Sequence, residues 1–132
     1  MYTESNTLHK ICSLDNTALT NTGDKYAWLP KFAWTCVGVV VNPTTAIGAC
    51  TTPAVVTIKL TPSGGSLTSK NAVTVTASTA VGTELKGVAV TTGSDVFDVL
   101  VGGTITVNVS TAMSGGTTTG AADVYLILKE KP

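Results

Sequence analysis

The sequence predicts an all-β fold, an antiparallel β-sandwich, and three observations carry the prediction. Apolar and polar residues alternate with a period of two over several short segments, as in strands with one face buried and one wet. Turn-forming Gly, Pro, Ser and Asn separate those segments at spacings of about 8–12 residues. Threonine supplies about a fifth of the 132 residues, and its β-branched side chain, like that of valine, loses rotamer freedom in a helix but fits a pleated surface. Two sheets totalling about eight short strands would use up this length, which makes a jelly roll the leading topology and an immunoglobulin-like arrangement the second. No fixed-period repeat is visible, so a propeller or solenoid is not expected. A chain of this length suits one domain that buries roughly two-thirds of its unfolded surface without metal or disulfide staples.

Residues 1–24 are polar, with scattered apolar positions at Leu8, Ile11, Leu14 and Leu19. The first three sit three apart, which would suit one or two helical turns. Two readings stand: an irregular terminal segment anchored on the domain, or an arm that orders only against another subunit, because so little apolar area cannot offset its own ordering entropy. The expected division is therefore an arm or irregular segment over residues 1–24 and a single sandwich over residues 25–132.

Residues 26–34, YAWLPKFAW, gather Tyr26, Trp28, Phe32 and Trp34. Pro30 interrupts them, so a strand is expected to start after it rather than to cross it. Residues 32–42 read as one long strand, with Phe32, Trp34, Cys36 and Val40 on one face and Thr35, Val37, Val39 and Val41 on the other. Apolar groups on both faces call for a central position or for a partner over the second face. The aromatic cluster reads as a core or lid over an open sandwich end, as a subunit contact of the kind Trp and Tyr commonly carry, or as a carbohydrate-stacking platform.

Residues 42–53 form a loop bracketed by Pro43 and Pro53. The next strand, residues 54–61, sets Val56, Ile58 and Leu60 against Val55, Thr57 and Lys59, and PSGG at residues 62–65 ends it with residues that tolerate positive φ. Residues 72–77 alternate Val73 and Val75 with Thr74 and Thr76. Residues 85–91 make another short strand with Val88 and Val90 in register, residues 93–95 turn, and residues 96–101 pair before the Gly102-Gly103 corner. The clearest strand covers residues 102–110, where Ile105, Val107 and Val109 alternate with Thr104, Thr106, Asn108 and Ser110. After a small-residue loop at residues 114–120 the alternation resumes at Val124, Leu126 and Leu128, predicting a β-hairpin with a long, pliable connection.

Charged residues make up 12% of the chain, about half the usual share. Such a surface has few charges to keep copies apart and suits a protein that sits against neighbours. A formal net charge of zero and the lack of any Lys/Arg cluster argue against nucleic acid, and no segment approaches a transmembrane helix. Residues 1–10 contain Glu4 and no apolar run of the kind a secretory signal needs. Yet Thr-rich, charge-poor β-proteins commonly work outside cells. A virion component reconciles the two, being made in the host cytoplasm and released by lysis.

Three cysteines, Cys12, Cys36 and Cys50, are an odd number in a chain that needs no disulfide framework, so free thiols are expected. Cys36 and Cys50 could pair only if their strands brought the Cα atoms close enough. His9 is the only histidine, and without a CxxC pair it supports neither a zinc site nor a Ser-His-Asp or Cys-His arrangement. Asp95 and Asp98 read as solvated turn carboxylates rather than as a metal or acid–base pair. The glycines at 102–103 and 115–116 show no nucleotide-binding spacing and lead into no helix. The triplet Asn108-Val109-Ser110 lies within a strand and reads as a chance glycosylation pattern. No catalytic, cofactor or metal site is expected, and no enzyme.

Three stretches, VGVVVNPTTAIGACTTPAVVTIKL, STAVGTELKGVAV and TITVNVSTAMSGGTTTGAADVYLILKEKP, cover the chain from about Val37 to the end. In texture and element order they resemble small phage virion proteins of the capsid decoration or cement type. The resemblance implies a β-sandwich, often jelly-roll-like, oligomeric on the outside of a head shell, with trimers common. On this reading Leu8, Ile11, Leu14, Tyr26, Trp28, Phe32 and Trp34 are the candidate interface residues. The partners are the major capsid protein or other virion subunits, and the chain forms a homo-oligomer, a trimer, that stabilises the shell by bridging neighbouring subunits. The alternative is a carbohydrate- or receptor-binding β-sandwich module of a phage fibre or tail.

Overall fold

Alternation along the chain becomes two facing sheets in the computed structural model, which describes residues 6–90 and 96–131. In chain order the elements are β1 (Thr7–Leu14), α1 (Asn16–Leu19), β2 (Gly23–Trp28), β3 (Trp34–Thr45), β4 (Cys50–Thr52), β5 (Ala54–Thr61), β6 (Thr68–Val75), β7 (Leu85–Lys86), β8 (Val88–Ala89), β9 (Phe97–Val99), β10 (Thr104–Thr111), β11 (Ser114–Gly116) and β12 (Ala121–Glu130). The first sheet runs β1-β12-β3, with β7 and β9 sharing the far edge of β3. The second runs β2-β10-β5-β6-β8, and β4 pairs with β11 in a small third sheet. The fold is an all-β antiparallel sandwich, as the sequence predicts.

The core lies between the two sheets and is built from the residues the period of two picks out. Ile105, Val107 and Val109 of β10, Val56 and Ile58 of β5, and Val124, Leu126 and Leu128 of β12 are all fully buried. Each such side chain contributes about 1.5–3 kcal/mol relative to exposure. On the outer face of the second sheet the polar partners pair among themselves: Asn108 Nδ2 donates to Asp24 at 2.7 Å, and the Thr57 and Ser110 hydroxyls meet at 2.9 Å.

Four expectations are corrected. The segment read as an arm or irregular start is structural from Thr7 onward: β1 pairs with β12, and Ile11, Leu14 and Leu19 join the core. The three-residue spacing of Leu8, Ile11 and Leu14 is not helical, because Ile11 is the extra residue of a β-bulge between Lys10 and Cys12, and a bulge shifts the phase of alternation by one. A one-turn helix does follow, capped by the Asp15 carboxylate, which accepts the Ala18 N–H at 2.8 Å. Second, β10 and β12 form no hairpin: they lie in opposite sheets, and residues 112–120 cross between them. Third, β3 begins at Trp34 rather than Phe32 and carries a bulge at Val37, so Cys36 shares the core face with Val39 and Val41 while Val40 points the other way. Val40 is nonetheless buried, flanked in register by Tyr125 and Lys86, so its position between two strands is enough to bury it within one chain. Fourth, the strand expected over residues 85–91 is two short ones in different sheets. The chain crosses at Gly87, where a Cβ would collide with the buried Asn71 amide, leaving Val88 and Val90 exposed. The turn expected at residues 93–95, and Asp95 with it, lies outside the described residues.

The two ends of the sandwich differ. At one end α1, residues 46–49, residues 76–82 and residues 112–120 are laced together by backbone hydrogen bonds between loops: Met113 N to Leu19 O, Ile47 N to Thr79 O, Gly48 N to Thr119 O, Ser78 N to Gly48 O and Thr117 N to Ala49 O. Leu19, Ile47, Cys50 and Met113 are buried beneath them. At the other end the connections are residues 29–33, 62–67 and 100–103, and their bonds are mostly local turns: Gly65 N to Pro62 O and Gly103 N to Leu100 O, with Lys131 N to Ala33 O the one tie across segments among the described residues.

Candidate functional site

The open end is built from turns. Gly64 at φ 72° and Gly102 at φ 92° adopt the left-handed conformation that closes each turn tightly. Short loops of this kind cannot fold back over the sandwich, so their apolar side chains point outward. Leu29, Phe32, Leu67, Leu100 and Val101 are each more than half exposed, Phe32 most of all at 69%. One exposed leucine is ordinary. Five large apolar side chains on three loops of one end form a patch of the sort that marks an interaction surface.

Beside the loops lies a pocket of about 330 Å³ lined by Leu60, Pro62, Ser63, Asp98, Leu100, Val101 and Gly103, at the small end of the ligand-cavity range of about 300–1,000 Å³. Its walls come from strand ends that the core fixes: Leu60 from β5, Asp98 from β9, and the residues 100–103 turn between β9 and β10. The register of β9 on β3 sets Asp98 opposite Thr35. The Thr35 hydroxyl donates to Oδ1 at 2.8 Å and the Lys131 ammonium lies 3.1 Å from Oδ2. The hydroxyl first and the ammonium second hold the Asp98 carboxyl below its ordinary range, so the pocket wall carries a carboxylate that stands in an ion pair with Lys131. The pocket offers apolar walls with one carboxylate at its edge.

Of the sequence-predicted interface residues, Phe32 belongs to this end and is exposed. Leu8, also exposed, stands near the start of β1, opposite Ile127, and Tyr26 is exposed on the edge strand β2. Trp28 and Trp34 are half-buried and pack against the core; Trp34 also meets the His9 ring edge-on, with centroids 5.1 Å apart. Ile11 and Leu14 are core residues and cannot serve as exposed anchors. Sequence reading missed Leu29, Leu67, Leu100 and Val101. The available signal was apolar residues inside turn strings, LP, PSGGSL and LVGG, where turn geometry asks only for small or polar residues.

The three cysteines are free. Burial pushes the Cys36 thiol up to about 11; burial, with the Asp123 carboxylate adding to it, does the same for Cys12, so neither is a reactive thiolate near neutrality. No group of three or more His, Cys, Asp or Glu residues gathers among the described residues, and no helix among them is long and apolar enough to cross a membrane. No protein-family model, curated protein or solved structure matches the chain.

Proposed function

We propose that the chain is a structural virion subunit of the capsid decoration type, a jelly roll that assembles with its own copies and reinforces a phage head by bridging neighbouring shell subunits. The observation that carries this reading is the open end: a patch of exposed apolar side chains around a small pocket, on a chain whose core is complete without it. A surface of that kind is held for contact with another macromolecule.

The jelly-roll assignment draws its support from the strand order. With the small β4-β11 sheet set aside, the first strand pairs with the last (β1 with β12), the second with the next to last (β2 with β10), then β3 with β9 and β5 with β6. This is one long antiparallel hairpin wrapped so that successive pairs fall in opposite sheets, as in double-sheet jelly rolls. Major capsid protein or other virion subunits are the proposed partners, and the virion is the proposed location.

Particles purified from the phage that encodes the chain provide the test. The protein is expected to copurify with the heads, to rebind stripped heads, and to raise their resistance to heat, with Leu100→Asp reducing rebinding. Absence from purified particles, or heads whose heat resistance does not change on its removal, would end the proposal.

A further inference from the structure

The open end carries both halves of a contact. Phe32 stands on the turn between β2 and β3, whose flanks are fixed by the pairing of Trp28 with Ile105 and of Trp34 with Val99. Its ring is mostly exposed, so it does not fill the pocket of its own chain. Lys31 precedes it and forms no ion pair among the described residues. The knob is therefore an aromatic ring beside an ammonium that has no ion-pair partner among the described residues. The pocket answers both features: Leu60, Pro62, Leu100 and Val101 supply apolar walls, and Asp98 supplies a charged carboxylate at its edge.

We propose that the pocket is the docking site for Lys31 and Phe32 of a second copy of this chain. The ring enters between Leu100 and Val101, and the ammonium joins Lys131 at the Asp98 carboxylate. An apolar side chain filling a pocket, with a charge pair at its rim, is the usual form of an interface hot spot. The formal net charge of zero leaves no overall repulsion between copies. Knob and pocket both lie on the open end, so the contact forms either as a two-fold pair that exchanges both at once or head-to-tail as a ring. A ring of three is the head-to-tail closure that the resemblance to decoration proteins implies, and only that choice of closure rests on the proposed function.

Sedimentation of the full chain, with circular dichroism melting as the folding control, tests it. The wild type is expected to assemble. Phe32→Ala, which removes the knob, and Val101→Arg, which blocks the hole, are each expected to weaken assembly about tenfold or more while leaving the melting midpoint in place. Mixing the two variants gives the sharper readout. The intact knob of one fits the intact hole of the other, so the mixture should form a one-to-one pair that neither variant forms alone. Lys31→Glu should weaken assembly, and Asp98→Lys on the same chain should restore part of it. A wild type that stays monomeric, variants that assemble as the wild type does, or a mixture that yields no pair would each overturn the proposal. A chain absent from virions but dependent on Phe32 for assembly would overturn only the virion role; a chain on virions that is indifferent to Phe32 would overturn only this contact.

Discussion

The two ends of the sandwich are made from similar material, Thr, Gly, Ser and Ala with a few large apolar residues, and put it to opposite uses. At the closed end Leu19, Ile47 and Met113 turn inward under loops bonded to one another, and Val81 is the exposed exception. That end even holds Ser78 at φ 58°, a left-handed conformation a serine keeps only where surroundings impose it, here with its N–H on the Gly48 carbonyl. At the open end Leu29, Phe32, Leu67, Leu100 and Val101 turn outward on loops bonded mainly to themselves. Folding needs apolar residues inside; it gives no reason for those at the open end. The difference separates residues that specify the fold from residues available for contact.

The largest expected effect belongs to the closed end. Met113→Ala removes a side chain that is 2% exposed from beneath α1, whose Leu19 carbonyl accepts the Met113 N–H, and should lower stability by about 2–5 kcal/mol. A urea midpoint that hardly moves would mean that this end is not a folded plug, and the contrast between ends would collapse.

Cys36 tests whether the interior under the open end is dry. It lies on β3 opposite Phe97 and Leu128, and burial raises its thiol from an ordinary 9.0 to about 11. The unfolded chain therefore ionises first. The stability this thiol contributes is complete below pH 9, falls as pH rises, and is lost above about 11, a change of about 2–3 kcal/mol. Stability measured across that window should fall, and Cys36→Ala should flatten the Cys36 share of the slope. If Cys36 titrated near 9, water would reach the core from the open end, and the exposed patch would be a leak rather than a surface.

The same contrast explains what could be read from the sequence. Strands β5 and β10 were legible because their alternation runs unbroken over Val56, Ile58 and Leu60 and over Ile105, Val107 and Val109. Strands β1 and β3 were misread where bulges at Ile11 and Val37 shift the phase: one made a strand resemble a helix, the other put Cys36 on the wrong face. The apparent hairpin of β10 and β12 was misread because alternation tells which face of a strand is buried, not which sheet it joins. The patch was mostly illegible for another reason. Leu67, Leu100 and Val101 sit in turn strings, and turn chemistry fixes the backbone without saying where an apolar side chain points. Only Phe32 announced itself, by its aromatic neighbours.

A matched pair of glycines sharpens the comparison at smaller scale. Gly116 at the closed end and Gly64 at the open end both have positive φ, 64° and 72°, so alanine at either is disfavoured by about 1–2 kcal/mol for the backbone alone. A Cβ at Gly116 would also collide with the Ala49 carbonyl oxygen, whereas at Gly64 nothing lies within 4 Å. Gly116→Ala should therefore be the more destabilising by about 1–2 kcal/mol. Equal losses would show that the closed end yields as readily as the open one.

The smallest expected change is at the open end, and its smallness is the point. Phe32→Ser and Leu100→Ser replace side chains that are 69% and 55% exposed and that lie outside the core cluster. Little apolar area is returned to water when either is cut back, so each should alter stability by no more than about 0.5 kcal/mol. Polar serine on these loops also removes apolar surface from the folded protein, so solubility should rise and binding of an apolar dye to the native state should fall. The two measurements must be taken together. If either variant lost stability on the scale of Met113→Ala, its side chain would be serving the fold, and the exposed patch could no longer be credited to contact with another subunit. Unchanged stability with diminished surface binding would leave contact as the property these residues provide.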